Sequence, residues 1–194
     1  MRVSKEAAAA SRARIVAAAS RLLRERGIEA TSIADVMAAA GLTHGGFYRH
    51  FGSKDDLVAA ALGAAFAGHA ERFAERRAAQ GAQDALRAYV EEYLSPEHVA
   101  RPDRGCPVAA LGAEAGRGSA EVCAAFARGV EETIARFVSA APPGTDAAAA
   151  RAAAIRRLAT VVGAVIVARG VGPGALGEEV LAACAETRDR APTP

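Results

Sequence analysis

The chain has 194 residues, a formal net charge of +2, 52% hydrophobic residues, only 5% aromatic residues and no tryptophan. This length buries a substantial core without disulfides or metal, and the three dispersed cysteines, Cys106, Cys123 and Cys184, offer neither a disulfide framework nor a Cys-x-x-Cys pair, which points to a reducing cytoplasm. Residues 1–54 carry nine Lys or Arg against four Asp or Glu, a net +5 that leaves −3 for the rest, so a cationic N-terminal segment suited to phosphates precedes an acidic body.

The start, MRVSKEAAAA, is charged but lacks an apolar signal core, and the longest apolar run, Leu158 to Ala168, falls short of the ~20 residues that span a bilayer. The pattern is helical throughout, with alanine-rich segments broken by glycine and proline and no run of alternating strand residues, so the fold class is all-α with about nine helices. A first helix is expected from about Lys5 to Arg26, with Ser4 as cap, Gly27 as stop, and Ile15, Ala18, Ala19, Leu22 and Leu23 as its buried stripe. Ser32 with Asp35 forms a capping box ahead of Ile33, Ala34 and Met37. Gly41 then supplies a sharp turn and Thr43 a cap for the segment His44 to Phe51. Phe47 and Phe51, four apart, anchor that segment and leave His44, Gly45, Tyr48, Arg49 and His50 on or near its surface. Ser53 with Asp56 starts a long helix from Lys54 to about Arg77.

Beyond it, Gln83 to Leu94 reads as a helix with Leu86, Tyr89, Val90 and Tyr93 along one side, and the three prolines of SPEHVARPDRGCP predict a loop. A short helix over 109–115 follows, then one opened by Ser119 with Val122, Phe126, Val130, Ile134 and Phe137 at core spacing. Pro142-Pro143-Gly144 ends it. Helices over about 146–169 and 175–188, separated by GVGPG, complete the chain.

Two short helices around a glycine turn, backed by a capped third, are the grammar of a helix-turn-helix. The order Thr31-Ser32, Ala40-Gly41-Leu42-Thr43, Gly45, Phe47-Tyr48, His50-Phe51 and Ser53-Lys54 resembles the DNA-binding domain of TetR/AcrR-family transcriptional regulators. The resemblance implies a helix-turn-helix DNA-binding domain over 1–53 and a helical effector-binding and dimerisation domain over 54–194. The implied activity is that of a ligand-responsive repressor, which binds a palindromic double-stranded DNA operator as a homodimer until a small-molecule or reactive inducer releases it. By position in the motif, Thr31, Tyr48, His50 and Lys54 are phosphate contacts, and Thr43, His44, Gly45, Gly46 and Arg49 face the groove, with Arg49 and His44 the base readers. Gly46 and Met37 depart from the common pattern, and two adjacent glycines weaken a helix by about 1 kcal/mol each. Arg2 and Lys5 read either as an arm on the DNA or as a solvated end.

For the second domain, an effector pocket is expected among Phe66, Phe73, Tyr89, Tyr93, Cys106, Leu111 and Phe126, each of which also reads as plain core. Cys106, in Arg-Gly-Cys-Pro, is either a reactive thiol at a helix start or a structural one; Cys123 and Cys184 read as small core residues. Ile155, Leu158, Val162, Val165, Ile166, Val180 and Leu181 are expected in a four-helix dimer interface. No catalytic motif, metal-ligand spacing or cofactor fingerprint is present, so the chain reads as no enzyme and as needing no cofactor or metal. The alternative function is a nonspecific DNA-coating or helical interaction protein.

Overall fold

The computed structural model describes residues 5–186, so the expectations for Ser4, Arg2 and the last residues of the final helix lie outside them. Nine α-helices and two short 3-10 helices account for the regular structure of the described residues, and there is no strand among them: α1 Lys5–Arg26, α2 Ile33–Ala39, the 3-10 helix His44–Arg49, α3 Lys54–Gln80, α4 Ala82–Tyr93, α5 Pro96–Ala100, the 3-10 helix Pro102–Arg104, α6 Pro107–Ala115, α7 Ala120–Val138, α8 Ala147–Val171 and α9 Ala175–Glu186. The chain divides into two compact units, one reaching to Ala67 and taking in Cys106–Gly129, the other formed by Gly68–Gly105 and the segment from Val130 onward. The division falls inside α3 and again inside α7.

In the first unit α1 buries Ile15, Ala18, Ala19, Leu22 and Leu23 as its periodicity requires, and packs on α2 and α6. The residues buried in α2 are Val36 and Met37, whereas Ala34 is exposed and Ile33 half-buried. Phe66 packs edge-on against Phe126 at 5.9 Å between centroids, and its ring lies directly over Gly129, where an added Cβ would come within 2.1 Å of it. Only glycine fits beneath that ring.

In the second unit, Phe73, Tyr89, Tyr93 and Phe137 form a connected aromatic core with centroid separations of 5.6–6.2 Å. The predicted loop after Leu94 folds instead into α5 and a 3-10 turn. Ser95 accepts the His98 N–H at 3.1 Å while Pro96 occupies the first turn, where no N–H is needed, so the same prolines that break long helices start a short one. α8 lies against α9, α4 and α5. It carries apolar residues both inward and outward: Ala150, Ala154, Leu158, Val161, Ala164, Val165 and Ala168 turn inward, while Ile155, Ile166, Val167 and Val171 are 44–49% exposed. No helix among the described residues is long and apolar enough to cross a membrane.

Candidate nucleic-acid interface

The reading head is built from caps and two phenylalanines. Ser32 Oγ accepts the Asp35 N–H at 3.1 Å and the Asp35 carboxylate accepts the Ser32 N–H at 3.1 Å, a complete capping box that starts α2. The hydrogen bond from the Ser32 hydroxyl, first among the causes, holds the Asp35 carboxyl below its usual range. Gly41, with φ +67°, makes the turn out of α2. Phe47 and Phe51, 0% and 2% exposed, stack at 5.7 Å, and Tyr48 meets Phe47 edge-on at 5.1 Å. The buried pair thereby fixes the opposite side outward: Tyr48 is 69% exposed, and Thr43, His44, Gly45 and Arg49 are exposed with it. Gly46, His50 and Lys54 are half-buried at the margin.

The recognition segment is a 3-10 helix rather than an α-helix, with Thr43 at its N-cap position but without a side-chain capping bond. Adjacent Gly45 and Gly46 supply the physical reason, since neither brings side-chain packing or helix propensity to hold a wider turn. At the start of α3, Ser53 Oγ accepts the Asp56 N–H at 3.0 Å and the Asp56 carboxylate accepts the Gly52 N–H at 3.0 Å. Lys54 therefore stands at the amino end of a 27-residue helix, beside Asp55 and Asp56 in the same turn. The helix end attracts an anion and the two carboxylates oppose it.

Thr31 requires a correction. It is 1% exposed, and its hydroxyl donates to the Gly27 carbonyl at 2.7 Å, with the Leu22 carbonyl at 3.4 Å. That hydroxyl closes the α1–α2 turn and does not face solvent where a phosphate would lie. Arg12, counted in the sequence only as one of many cations, sits with its guanidinium 4.7 Å from the Phe51 ring and joins α1 to the head by a cation–π contact. Nothing in the local pattern marks it, because Arg12 and Phe51 are 39 positions apart. Lys5 is exposed at the start of α1.

The expected pocket residues separate. Phe66, Leu111 and Cys106 are each 2% exposed in the first unit, with Phe126 half-buried among them. Cys106 stands at the N-cap position of α6 with its side chain in the core, an arrangement that withholds the thiol from solvent. Phe73, Tyr89 and Tyr93 in the second unit line a small cavity with His69, His98, Arg72, Arg76, Arg104 and Glu92. There Arg76 pairs with Glu92, His69 Nε2 lies 3.1 Å from the Gly105 carbonyl, and His98 Nδ1 lies 2.7 Å from the Tyr93 carbonyl. Burial pushes the His98 imidazole below its usual range, against the opposing pull of the Tyr93 carbonyl. A larger apolar cleft of about 420 Å³ is lined by Val99, Ala168, Gly177 and Leu181 with Arg169 at one side, and a second of about 340 Å³ by Leu86, Val90, Phe137, Ala154 and Arg157.

Among the residues expected at a dimer interface, Leu158, Val165 and Leu181 are 6%, 0% and 6% exposed within one chain. They are core residues, because α8 turns that side toward the rest of its own unit. Ile155 and Ile166 are exposed, Val162 and Val180 half-buried. The outward apolar face also includes Val167, Val171 and Leu176, which the periodicity did not single out.

The family model described as bacterial regulatory proteins, tetR family, matches residues 15–61, the span from the buried face of α1 through the head into α3. An uncharacterized HTH-type transcriptional regulator of Mycobacterium tuberculosis is 31% identical over 168 residues, covering 81% of this chain and 84% of that protein. The crystal structure of a TetR transcriptional regulator from Chloroflexus aurantiacus matches 92% of this chain and 94% of its own, with a TM-score of 0.73 and 28% identity. E. coli NemR in its reduced form shares the fold, with a TM-score of 0.77 over 91% of this chain and 94% of its own at 22% identity. Exposed basic and aromatic side chains on a capped, glycine-turned head thus coincide with likeness along most of the chain: it belongs to the tetR family of bacterial regulatory proteins and is a DNA-binding transcriptional regulator.

Proposed function

We propose that the chain is a cytoplasmic, ligand-responsive repressor that binds a palindromic operator as a homodimer. Residues 1–53 are its DNA-binding domain and 54–194 its effector-binding and dimerisation domain. The observation that carries the reading is the outward face of the segment Thr43–Arg49, where His44, Tyr48 and Arg49 project from a turn pinned beneath by Phe47 and Phe51. Arg49 and His44 read base edges in the major groove; Tyr48, His50 and Lys54 hold phosphates and set the register. Thr43, Gly45 and Gly46 let the backbone approach the groove.

The exposed apolar face of α8 and α9 supports the dimer. Ile155, Val162 and Ile166 recur at intervals of seven and four along one stripe, with Val167 and Val171 exposed on a neighbouring side of the same helix and Leu176 on α9. Two heads joined in this way read half-sites about one DNA turn, ~34–36 Å, or a multiple of it apart. An inducer bound among the helices of the second unit, where the clefts of about 420 and 340 Å³ are of ligand size and the cavity of Phe73, Tyr89 and Tyr93, at about 30 Å³, is not, releases the operator by favouring a second conformation. The test is a mobility shift of DNA flanking the gene, with excess nonspecific competitor at two salt concentrations, alongside sedimentation of the free protein. A discrete complex on a palindrome that survives competitor, formed by a sedimenting dimer, is the expected result. Binding that vanishes with competitor and scales only with salt would replace this reading by nonspecific coating.

A further inference from the structure

The connection between α1 and α2 is held from outside by a residue far along the chain. Glu114, on α6, places Oε2 2.7 Å from the Ile28 nitrogen and 3.2 Å from the Glu29 nitrogen, and accepts both N–H groups. Gly27, just before them, has φ +92°, and a Cβ there would come within 2.6 Å of Glu114 Oε1. The glycine therefore serves twice, by turning the chain and by leaving room for the carboxylate. From the inner side the Thr31 hydroxyl bonds the Gly27 carbonyl at 2.7 Å. Five residues, 27–31, are thus clamped between a buried hydroxyl and a charged acceptor, and hydrogen bonds to a charged acceptor are about twice as strong as neutral ones.

This turn has leverage on the reading head. α1 packs on α2, and α2 packs on the recognition segment, so the angle at 27–31 sets where His44, Tyr48 and Arg49 stand relative to the α1 framework. We infer that Glu114 is a positioning residue for DNA reading: through its two backbone hydrogen bonds it fixes the α1–α2 turn and hence the presentation of the recognition segment. The inference rests on the proposed operator reading and goes beyond it, because Glu114 belongs to α6 and not to the DNA-facing set. A base contact tolerates little misplacement, whereas a phosphate attraction tolerates much.

The experiment compares wild type, Glu114→Ala, Glu114→Gln and the control Glu121→Ala, an exposed acid in the first turn of α7. Each full-length protein is titrated with its selected operator duplex and with a scrambled duplex of equal length, and amide hydrogen exchange is followed across residues 24–32. Glu114→Ala is expected to lose protection at Ile28 and Glu29 and about tenfold in operator affinity. Its scrambled-duplex affinity should stay within twofold, and its thermal midpoint should fall by only a few degrees. Glu114→Gln, which keeps one side-chain acceptor, should recover part of both losses, and it carries the comparison alone if the alanine variant fails to fold. Unchanged exchange at Ile28 and Glu29 would overturn the clamp. Lost protection with undiminished operator affinity would overturn the positioning role, as would equal losses on both duplexes with a falling midpoint. A wild type that fails to prefer its operator would instead remove the DNA reading itself, and the positioning role with it, while the exchange data still report on the clamp.

Discussion

The recognition segment and the α8–α9 pair expose opposite chemistries, and each is exposed for a different reason. At the head, two buried aromatic rings commit one side of a short turn to the core, so the polar and cationic side chains have nowhere else to go. On α8 the sorting is incomplete: one side fills the core of its unit, and the other leaves isoleucine and valine in water among Arg151, Arg156 and Thr160. A helix of that kind needs a second surface to cover it. The head thus asks for a polyanion and the helix pair for protein.

The comparison breaks most visibly on Ile166→Glu. A carboxylate placed in the middle of the apolar stripe adds an uncompensated charge to any interface formed there. We expect the protein to sediment as a monomer with its helix content intact and to lose detectable operator binding. A dimer that persists would move the contact away from this face. Gly129→Ala follows in size and probes the first unit from within. Its Cβ meets a Phe66 ring that is itself buried against Phe126, so no flexible end can yield. The cost is about 1–3 kcal/mol or more, a fall of about 2–4 °C in thermal midpoint for each kcal/mol. Calorimetry checks it, and an unchanged midpoint would show that α7 shifts freely beneath the ring.

Arg49→Ala sharpens the polar half. A base-reading arginine is worth about 1–3 kcal/mol of discrimination, so the ratio of operator to scrambled-duplex affinity should fall sharply while both complexes weaken modestly. Equal weakening on the two duplexes would make Arg49 a phosphate contact. Smaller still is Gly46→Ala. A Cβ at Gly46 meets only ordinary contacts, 3.7 Å from Met37 Cε and 3.8 Å from Thr43 Oγ1. Replacing one of two adjacent glycines should stabilise the head by up to about 1 kcal/mol through lower backbone entropy, measured as a raised denaturant midpoint. A lower midpoint would mean that the 3-10 geometry here excludes a side chain.

Much of the head was legible in sequence because its signals are local. A capping box spanning four residues, a glycine at a turn and two phenylalanines four apart are read by neighbours along the chain, and α1 ends at Arg26, before Gly27, where its pattern says. Long-range facts were not legible. Thr31 fits the motif by position, yet its partners are carbonyls of the preceding helix and turn, and burial rather than sequence order decides that. Glu114 reaches Ile28 across 86 positions, and no spacing rule announces it. On α8, periodicity fails for a definite reason: with apolar residues both inward and outward, core and surface share one alphabet. Leu158 and Val165 therefore looked no different from Ile155 and Ile166. In the stretch after Leu94 the prolines predict a break, whereas Pro96 at a first turn capped by Ser95 starts a helix.

Acid separates the two units more finely than any substitution. In the second unit burial holds His98 neutral below its ordinary pKa of 6.5, with Arg169 and Arg72 adding to the effect and the Tyr93 carbonyl and Glu92 opposing it. The unfolded chain then binds the proton more readily than the folded one. This contribution to stability is therefore complete above about pH 6.5 and is lost as pH falls toward the folded value. In the first unit the Asp35 carboxyl is also depressed, but from 3.8, so its capping contribution survives until pH falls below that range. Between pH 7 and 5, protection against amide exchange, corrected for intrinsic rates, should decline in peptides from α4 and α5 and hold in those from α2. His98→Gln should flatten the first response without touching the second. Parallel decline in both sets of peptides would mean that the units unfold as one and that His98 reports on the whole chain.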